Sequence, residues 1–241
     1  MTQTPSRLTL VTGASRGIGR ATALELARKG HIVIAVARSK AALEKLDDEI
    51  RAMGSEAILV PMDMKDPKAI DTLGKVITER FGRLDGLVAN AGILGPIGPV
   101  ESCGPRSFDE IIAINLTANY KLICALSGAL KAAPSPRAVF LTSGVVPRPR
   151  AFWGPYQASK AGLEGLVEAW MDETENMKLN VNLFDPGAVR TGMRAEAVPG
   201  EDPMTLPPTE DVAAVLAHYV EEACTTHGQR IDFRAQNTLN G

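Results

Sequence analysis

At 241 residues, with 45% hydrophobic and 22% charged residues and a formal net charge of −2, the chain has the length and make-up of one well-buried globular domain. It carries no basic block and only 5% aromatics, so nucleic acid is not an expected partner. No apolar run approaches the roughly eighteen residues of a membrane span, and the polar opening Met1-Thr-Gln-Thr-Pro-Ser-Arg7 lacks a secretory signal's apolar core, so a cytoplasmic protein with no membrane association is expected.

Cys103, Cys124 and Cys224 are odd in number and far apart, which suits free thiols in a reducing compartment. His31, His218 and His227 form no ligand-spaced cluster, and no metal is expected.

Short β-branched runs alternate along the chain with longer stretches of helical period. The first run, residues 7–12, leads into Thr12-Gly13-Ala14-Ser15-Arg16-Gly17-Ile18-Gly19 at the start of a helix. Glycines there let the backbone approach a diphosphate, and a helix N-terminus points unpaired N–H groups and a positive dipole at the anion. The same turn also serves a tight strand-to-helix connection with no ligand. Gly30 reads as the stop of that helix. The second run, residues 31–36, ends at Ala37-Arg38-Ser39, with no acidic side chain to grip the ribose hydroxyls of NAD. Arginine suits the 2′-phosphate of NADP, and Arg16 adds a second cation, so NADP is favoured over NAD.

Further strands are expected at residues 57–60, 84–89, 138–142, 179–184 and, more weakly, 229–233. Between them, Asp66-Pro67 reads as an N-cap followed by proline at the first helical position. Seven strands alternating with helices predict a doubly wound Rossmann-type α/β fold, a seven-stranded parallel sheet covered by helices on both faces. No Ser- or Gly-rich linker divides the chain, which predicts a single domain over residues 1–241. The least regular stretch, about residues 187–208, is rich in Pro and Gly and reads as a substrate loop or a plain surface excursion.

The apolar run at residues 138–142 ends beside Ser143, and Tyr156 and Lys160 follow one helical turn apart. An ammonium about 4 Å from a phenol would favour the ionised form by roughly three pKa units at an effective dielectric of about 20, so Tyr156 is expected to exchange protons near neutral pH. Taken alone, the pair also fits an amphipathic helix with a half-exposed tyrosine and a solvated lysine. Phe152, Trp153, Met193 and Met204 flank this region with Arg148, Arg150, Arg190 and Arg194; they fit an apolar pocket or an interface equally well. The helices near residues 108–133 and 156–170 look apolar on more than one face, with Ala158, Ala161, Gly162, Gly165 and Ala169 allowing close approach, which predicts a homodimer or homotetramer.

In order, Thr12-Gly13-x-x-x-Gly17-x-Gly19, Asp63, Asn90-Ala91-Gly92, Asn115, Ser143, Tyr156-x-x-x-Lys160 and Pro186-Gly187-x-x-x-Thr191 resemble the short-chain dehydrogenase/reductase family in its compact form, over about residues 8–233. The resemblance implies a hydride-transfer enzyme with Tyr156 as general acid or base and Ser143 hydrogen-bonding the substrate oxygen. Lys160 would lower the Tyr156 pKa and hold the nicotinamide ribose, and Asn115 would hold a water leading to Lys160. It also implies that Gly13, Ser15, Arg16, Gly17, Ile18 and Gly19 cradle the diphosphate. Asp63 and Met64 would meet the adenine, and Asn90 and Gly92 would border the cofactor. Pro186, Gly187, Val189 and Thr191 would pack on the nicotinamide and its carboxamide.

Two positions depart from that pattern. Ala89 stands where many relatives have Asn, and Gln229-Arg-Ile-Asp-Phe-Arg234 replaces the usual Val-Asp-Gly-Gly near the last strand. The expected activity is NADPH-dependent reduction of a ketone or aldehyde, with a 3-oxoacyl thioester among the plausible small-molecule substrates. A non-catalytic NADPH-binding regulator and a sugar-nucleotide epimerase or dehydratase are the competing readings.

Overall fold

A computed structural model describes residues 6–237; residues 1–5, which hold most of the polar opening, lie outside the described residues. Seven strands form one parallel sheet: β1 (Leu8–Thr12), β2 (Ile32–Ala37), β3 (Ala57–Pro61), β4 (Gly86–Ala89), β5 (Arg137–Leu141), β6 (Asn180–Asp185) and β7 (Arg230–Asp232). Their spatial order is β3-β2-β1-β4-β5-β6-β7. All seven expected strands are present, including the weak last one. The order reverses direction between β1 and β4, and ligands bind such a sheet in the crevice beyond the strand C-termini at that switch.

Strands β1, β2, β4, β5 and β6 are buried on both faces, so neighbouring residues along them point into different cores, while the edge strands β3 and β7 are partly open. On one face Leu10, Ile34, Leu87, Phe140 and Leu183 pack against three helices, α3 (Pro67–Phe81), α5 (Ala118–Ala132) and α6 (Gly154–Thr174). On the other, Val11, Val33, Val88, Val139 and Phe184 pack against α1 (Gly17–Arg28), α2 (Lys40–Ala52) and α8 (Thr209–His218). Capping explains where several helices begin. The Asp66 carboxylate accepts from the N–H groups of Lys68 at 2.9 Å and Ala69 at 3.3 Å, with Pro67 at the first position as expected.

A short helix, α4 (Pro105–Ile112), runs through a π-helical turn at Ala113–Thr117 into α5, making a 28-residue rod. By length and hydropathy this rod could cross a bilayer, although no single apolar run in the sequence is that long. Its residues Ala118, Leu122, Leu126, Ala129 and Leu130 lie instead in the core against the sheet and α3, which makes it a core helix. Its outer side leaves Phe108, Tyr120 and Cys124 exposed, and α6 exposes Ala158, Ala161, Gly165 and Ala169. The stretch expected as an irregular loop is ordered around α7 (Gly192–Ala197) and a 3-10 turn at Pro203–Thr205. It is pinned by Arg190, whose guanidinium donates to the carbonyls of Pro203 at 2.9 Å and Leu206 at 3.1 Å.

The contact between α3 and α5 is set by a residue with no side chain. A Cβ on Gly74 would lie 2.5 Å from the Ala125 carbonyl oxygen and 2.8 Å from the Ala125 Cβ. Alanine gains about 1 kcal/mol of helix propensity over glycine, whereas overpacking against a backbone that cannot yield costs about 1–3 kcal/mol. The collision outweighs the propensity. Gly74→Ala is expected to lower stability by about 1–2 kcal/mol, read as a fall in the urea midpoint at unchanged slope; a raised midpoint would show that the two helices separate freely.

Candidate active site

The crevice is built first by hydrogen bonds between β1 and β4. The Thr12 hydroxyl accepts from the N–H groups of Asn90 at 3.0 Å and Ala91 at 2.9 Å, and the Asn90 amide donates to the Thr12 carbonyl at 2.8 Å. This stitching holds the glycine turn against the Asn90 segment. A Cβ on Gly19 would lie 2.3 Å from the Asn90 amide nitrogen and 2.5 Å from the Gly13 carbonyl oxygen, so glycine there lets α1 seat on its own turn. Gly19 lines neither of the two cavities beside this turn.

Gly13, Ser15, Arg16, Gly17 and Ile18 line a cavity of about 250 Å³. Arg38, Asp63 and Met64 close one end of it, while Asn90, Gly92, Tyr156, Lys160, Pro186 and Thr191 form the other. Arg16 and Arg38 are exposed at its rim, and neither guanidinium has a hydrogen bond or ion pair among the described residues. Asp63 accepts from the Lys65 N–H at 2.9 Å and still borders the space. A glycine cradle with two unpartnered cations fits a dinucleotide bearing an extra phosphate.

A second cavity of about 190 Å³ adjoins the first, and Tyr156 lines both. Ser143, Gly187 and Val189 border this one, together with Trp153, Met193, Arg148, Arg150 and Arg194. Phe152 and Met204, read from the sequence as flanking the crevice, line neither space and are 56% and 72% exposed.

Tyr156 lies in the first turn of α6, and Ser143, just past β5, is near enough for its hydroxyl to act on the phenol. The phenol is buried, and burial pushes its pKa up to about 12, with the Ser143 hydrogen bond opposing and the Asp185 charge reinforcing the rise. This reverses the expectation that Lys160 makes the phenol acidic. The Lys160 ammonium is 6.0 Å from the phenol ring centre and donates to the Leu141 carbonyl at 2.7 Å. Burial lowers the pKa of Lys160 itself to about 8, against the pull of Glu164 and Asp185. Loss of water thus opposes the charged form of both groups.

Asn115 sits in the π-helical turn, a distortion that recurs at functional sites. Its side chain accepts from the Ile93 N–H at 2.9 Å and donates to the Ile93 carbonyl and the Ser159 hydroxyl, each at 2.9 Å. Ser159 in turn donates to the Tyr156 carbonyl at 2.7 Å. Asn115 therefore ties the segment after β4 to the helix carrying Tyr156 and Lys160.

Behind Ser143 lies a buried charge cluster that the sequence reading missed. Arg230 donates to Glu164 at 2.9 Å, to Asp185 at 3.1 Å and to the Ser143 carbonyl at 3.1 Å. Asp185 accepts from the Gly187 N–H at 2.9 Å, and the Thr142 hydroxyl donates to Glu164. The one signal available beforehand was the departure at residues 229–234, which supplies Arg230 from β7.

This sheet and crevice define an α/β protein of the dinucleotide-binding type. The model of the short chain dehydrogenase family matches residues 7–202. The oxidoreductase YciK of Escherichia coli is 35% identical over 209 residues, covering 86% of this chain and 82% of that one. The 3-oxoacyl-[acyl-carrier-protein] reductase FabG of Pseudomonas aeruginosa is 33% identical over 218 residues, covering 87% and 88%. A short chain dehydrogenase from Shigella flexneri, solved in complex with NADP, superposes with a TM-score of 0.90 at 33% identity, covering 95% of this chain and 97% of that one. The chain belongs to the short-chain dehydrogenase/reductase family, a family of oxidoreductases.

Two outcomes follow from the buried charges. In the cofactor-free protein, the absorbance difference at 295 nm between wild type and Tyr156→Phe should show no Tyr156 phenolate up to about pH 10; a midpoint below about 9 would show the Lys160 charge prevailing over burial. Arg230→Leu would leave Glu164 and Asp185 buried without their cation. Because Arg230 is itself 26% exposed, the loss should fall at the low end for broken buried pairs, about 3 kcal/mol in urea unfolding; a change under about 1 kcal/mol would show the cluster to be dispensable.

Proposed function

We propose that the protein is an NADPH-dependent carbonyl reductase, acting in reverse as an alcohol dehydrogenase, on a small-molecule ketone or aldehyde. The observation that carries this reading is the place of Tyr156 on the wall common to both cavities, with Ser143 lining the second beside it. One cavity offers the glycine cradle, and the other opens beside Ser143. When bound, NADPH supplies the hydride.

The chain's own residues supply the rest. Tyr156, a neutral phenol at pH 7, donates its proton to the substrate oxygen as charge develops there, and the Ser143 hydroxyl donates a hydrogen bond to the same oxygen. Lys160 holds the ribose hydroxyls and bears charge near the departing proton. Asn115 keeps the helix of Tyr156 and Lys160 fixed against the Ile93 segment and leads towards a water that refills the proton. Arg16 and Arg38 take the 2′-phosphate, a preference supported by their lack of other partners and by the NADP complex of the Shigella relative. The ordered segment near residues 187–208 covers the substrate side of a single-domain enzyme. The small residues exposed on α6, with Phe108 and Tyr120 on the neighbouring rod, support assembly as a homodimer or homotetramer. The free thiols of Cys103, Cys124 and Cys224 favour a reducing, cytoplasmic location.

The test is a screen of aldehydes, ketones and alcohols that follows NADPH and NADH absorbance in parallel. Turnover should be at least about tenfold more efficient with NADPH, equivalent to roughly 1.4 kcal/mol from the guanidinium contacts. Tyr156→Phe should lose about 100-fold or more in kcat while still binding NADPH. Full activity in that variant would remove Tyr156 as the acid.

A further inference from the structure

We infer that the carbonyl substrate carries an anionic group, a carboxylate or phosphate, at the end of an apolar body, and that Arg148 and Arg150 select it. The inference rests on the reductase reading above and assigns the substrate class of the same site. It starts from the charges around the cavity beside Ser143. Arg194 is closed on Glu201 by two hydrogen bonds of 2.6 Å. Asp185 is matched by Arg230 at 3.1 Å, and Asp232 accepts from the backbone N–H of Arg234 at 2.9 Å. Arg148 and Arg150 also line this cavity, yet their guanidiniums make no hydrogen bond or ion pair among the described residues. The acid that feels Arg150 is Glu201, whose carboxyl is lowered chiefly by its hydrogen bond to Arg194, with Arg150 a distant contributor.

The backbone presenting these two cations is stiff. In Pro147-Arg148-Pro149-Arg150 both prolines have φ restricted, and Arg148 is confined further because a proline follows it. Downstream, Phe152 has φ 72°, a left-handed conformation that an aromatic residue rarely adopts. It is held by its carbonyl, which accepts from the Gly98 N–H at 3.0 Å, and by the Trp153 N–H donating to the Arg150 carbonyl at 3.3 Å. Backbone strain of this kind persists where the surroundings enforce it, and it concentrates at ligand sites. Guanidiniums on an already ordered loop lose less freedom on binding an anion than they would on a mobile one.

The cavity also has an apolar wall on the Tyr156 side. Leu94 and Val145 pack with Tyr156, and Trp153, Met193 and Ala197 pack against them. A substrate matching this lining has its carbonyl at Ser143 and Tyr156, a hydrophobic middle, and a negative end at Arg148 and Arg150. Bidentate pairing of guanidinium with carboxylate or phosphate supplies the selectivity.

Three aldehydes that differ only at the para position test this: 4-formylbenzoate, its methyl ester, and 4-formylphenyl phosphate, each reduced with NADPH by the wild type and by the Arg148→Gln, Arg150→Gln double variant. The ratio of kcat/KM for an anion to that for the ester is the readout, since partial loss of folded protein cancels in it. The wild type should favour at least one anion by about tenfold, mostly through KM, and the ratio should fall towards one in the double variant and with rising salt. Preference for the phosphate over the carboxylate, or the reverse, identifies the group. An ester reduced as well as both anions by the wild type, or a ratio unchanged in the variant, overturns the inference while leaving the reductase reading intact. Quenching of Trp153 fluorescence by 4-(hydroxymethyl)benzoate separates the converse case. Quenching lost in the double variant, with no NADPH consumed on any aldehyde, retains the anion site and refutes the reductase; no quenching and no preference refutes the site.

Discussion

Taking the Tyr156 phenol out of water removes the solvent that would stabilise its anion, and the one ammonium on the same helix face lies 6.0 Å from the ring with its hydrogen bond directed at Leu141. Burial therefore favours the neutral phenol. Burial acts on Lys160 in the opposite chemical sense, drawing its pKa down to about 8 and weakening the charge that would otherwise acidify its neighbour. Both shifts have one cause, a crevice closed by the C-terminal ends of β4, β5 and β6 and by the first turns of α6. A group that supplies positive charge on binding in that crevice would change the balance more than any rearrangement of the side chains already there.

The same dry environment would be costly for Glu164 and Asp185 if they stood alone. Arg230 resolves this by reaching both carboxylates and the Ser143 carbonyl from the last strand. Chain continuity thus matters at long range: a three-residue edge strand steadies a residue that follows the interior strand β5. The cluster also reaches Gly187 through Asp185, so two parts of the second cavity's wall, Ser143 and Gly187, share one set of hydrogen bonds.

Much of this was legible without coordinates, for identifiable reasons. Strands buried on both faces read as short β-branched runs, and all seven were found. The Asp66-Pro67 start was found too, because capping depends on adjacent residues. The residues of the glycine turn, Arg38, Asp63 and Asn90 were legible because each follows a strand on the edge where ligands bind. What failed were properties that depend on surroundings. The acidity of Tyr156 was read from a spacing of four residues, which reports direction along a helix and says nothing about water. Proximity in sequence left Met204 and Phe152 as pocket or interface residues equally, and only the fold shows that they line neither cavity and stand exposed. Arg230 and Glu164 lie 66 positions apart, and no local pattern joins them.

By itself, then, the sequence determined the order and kind of the elements, the edge on which the functional residues gather, and the positive character of the cofactor rim. These follow from periodicity, caps and residue type, which act over a few neighbouring positions. Tertiary structure decided the protonation state of Tyr156 and Lys160, the pairing that neutralises Asp185 and Glu164, and which arginines keep their charge free to meet a ligand. Those outcomes depend on desolvation and on distances between segments remote in the chain, quantities that come into being only when the sheet closes over them.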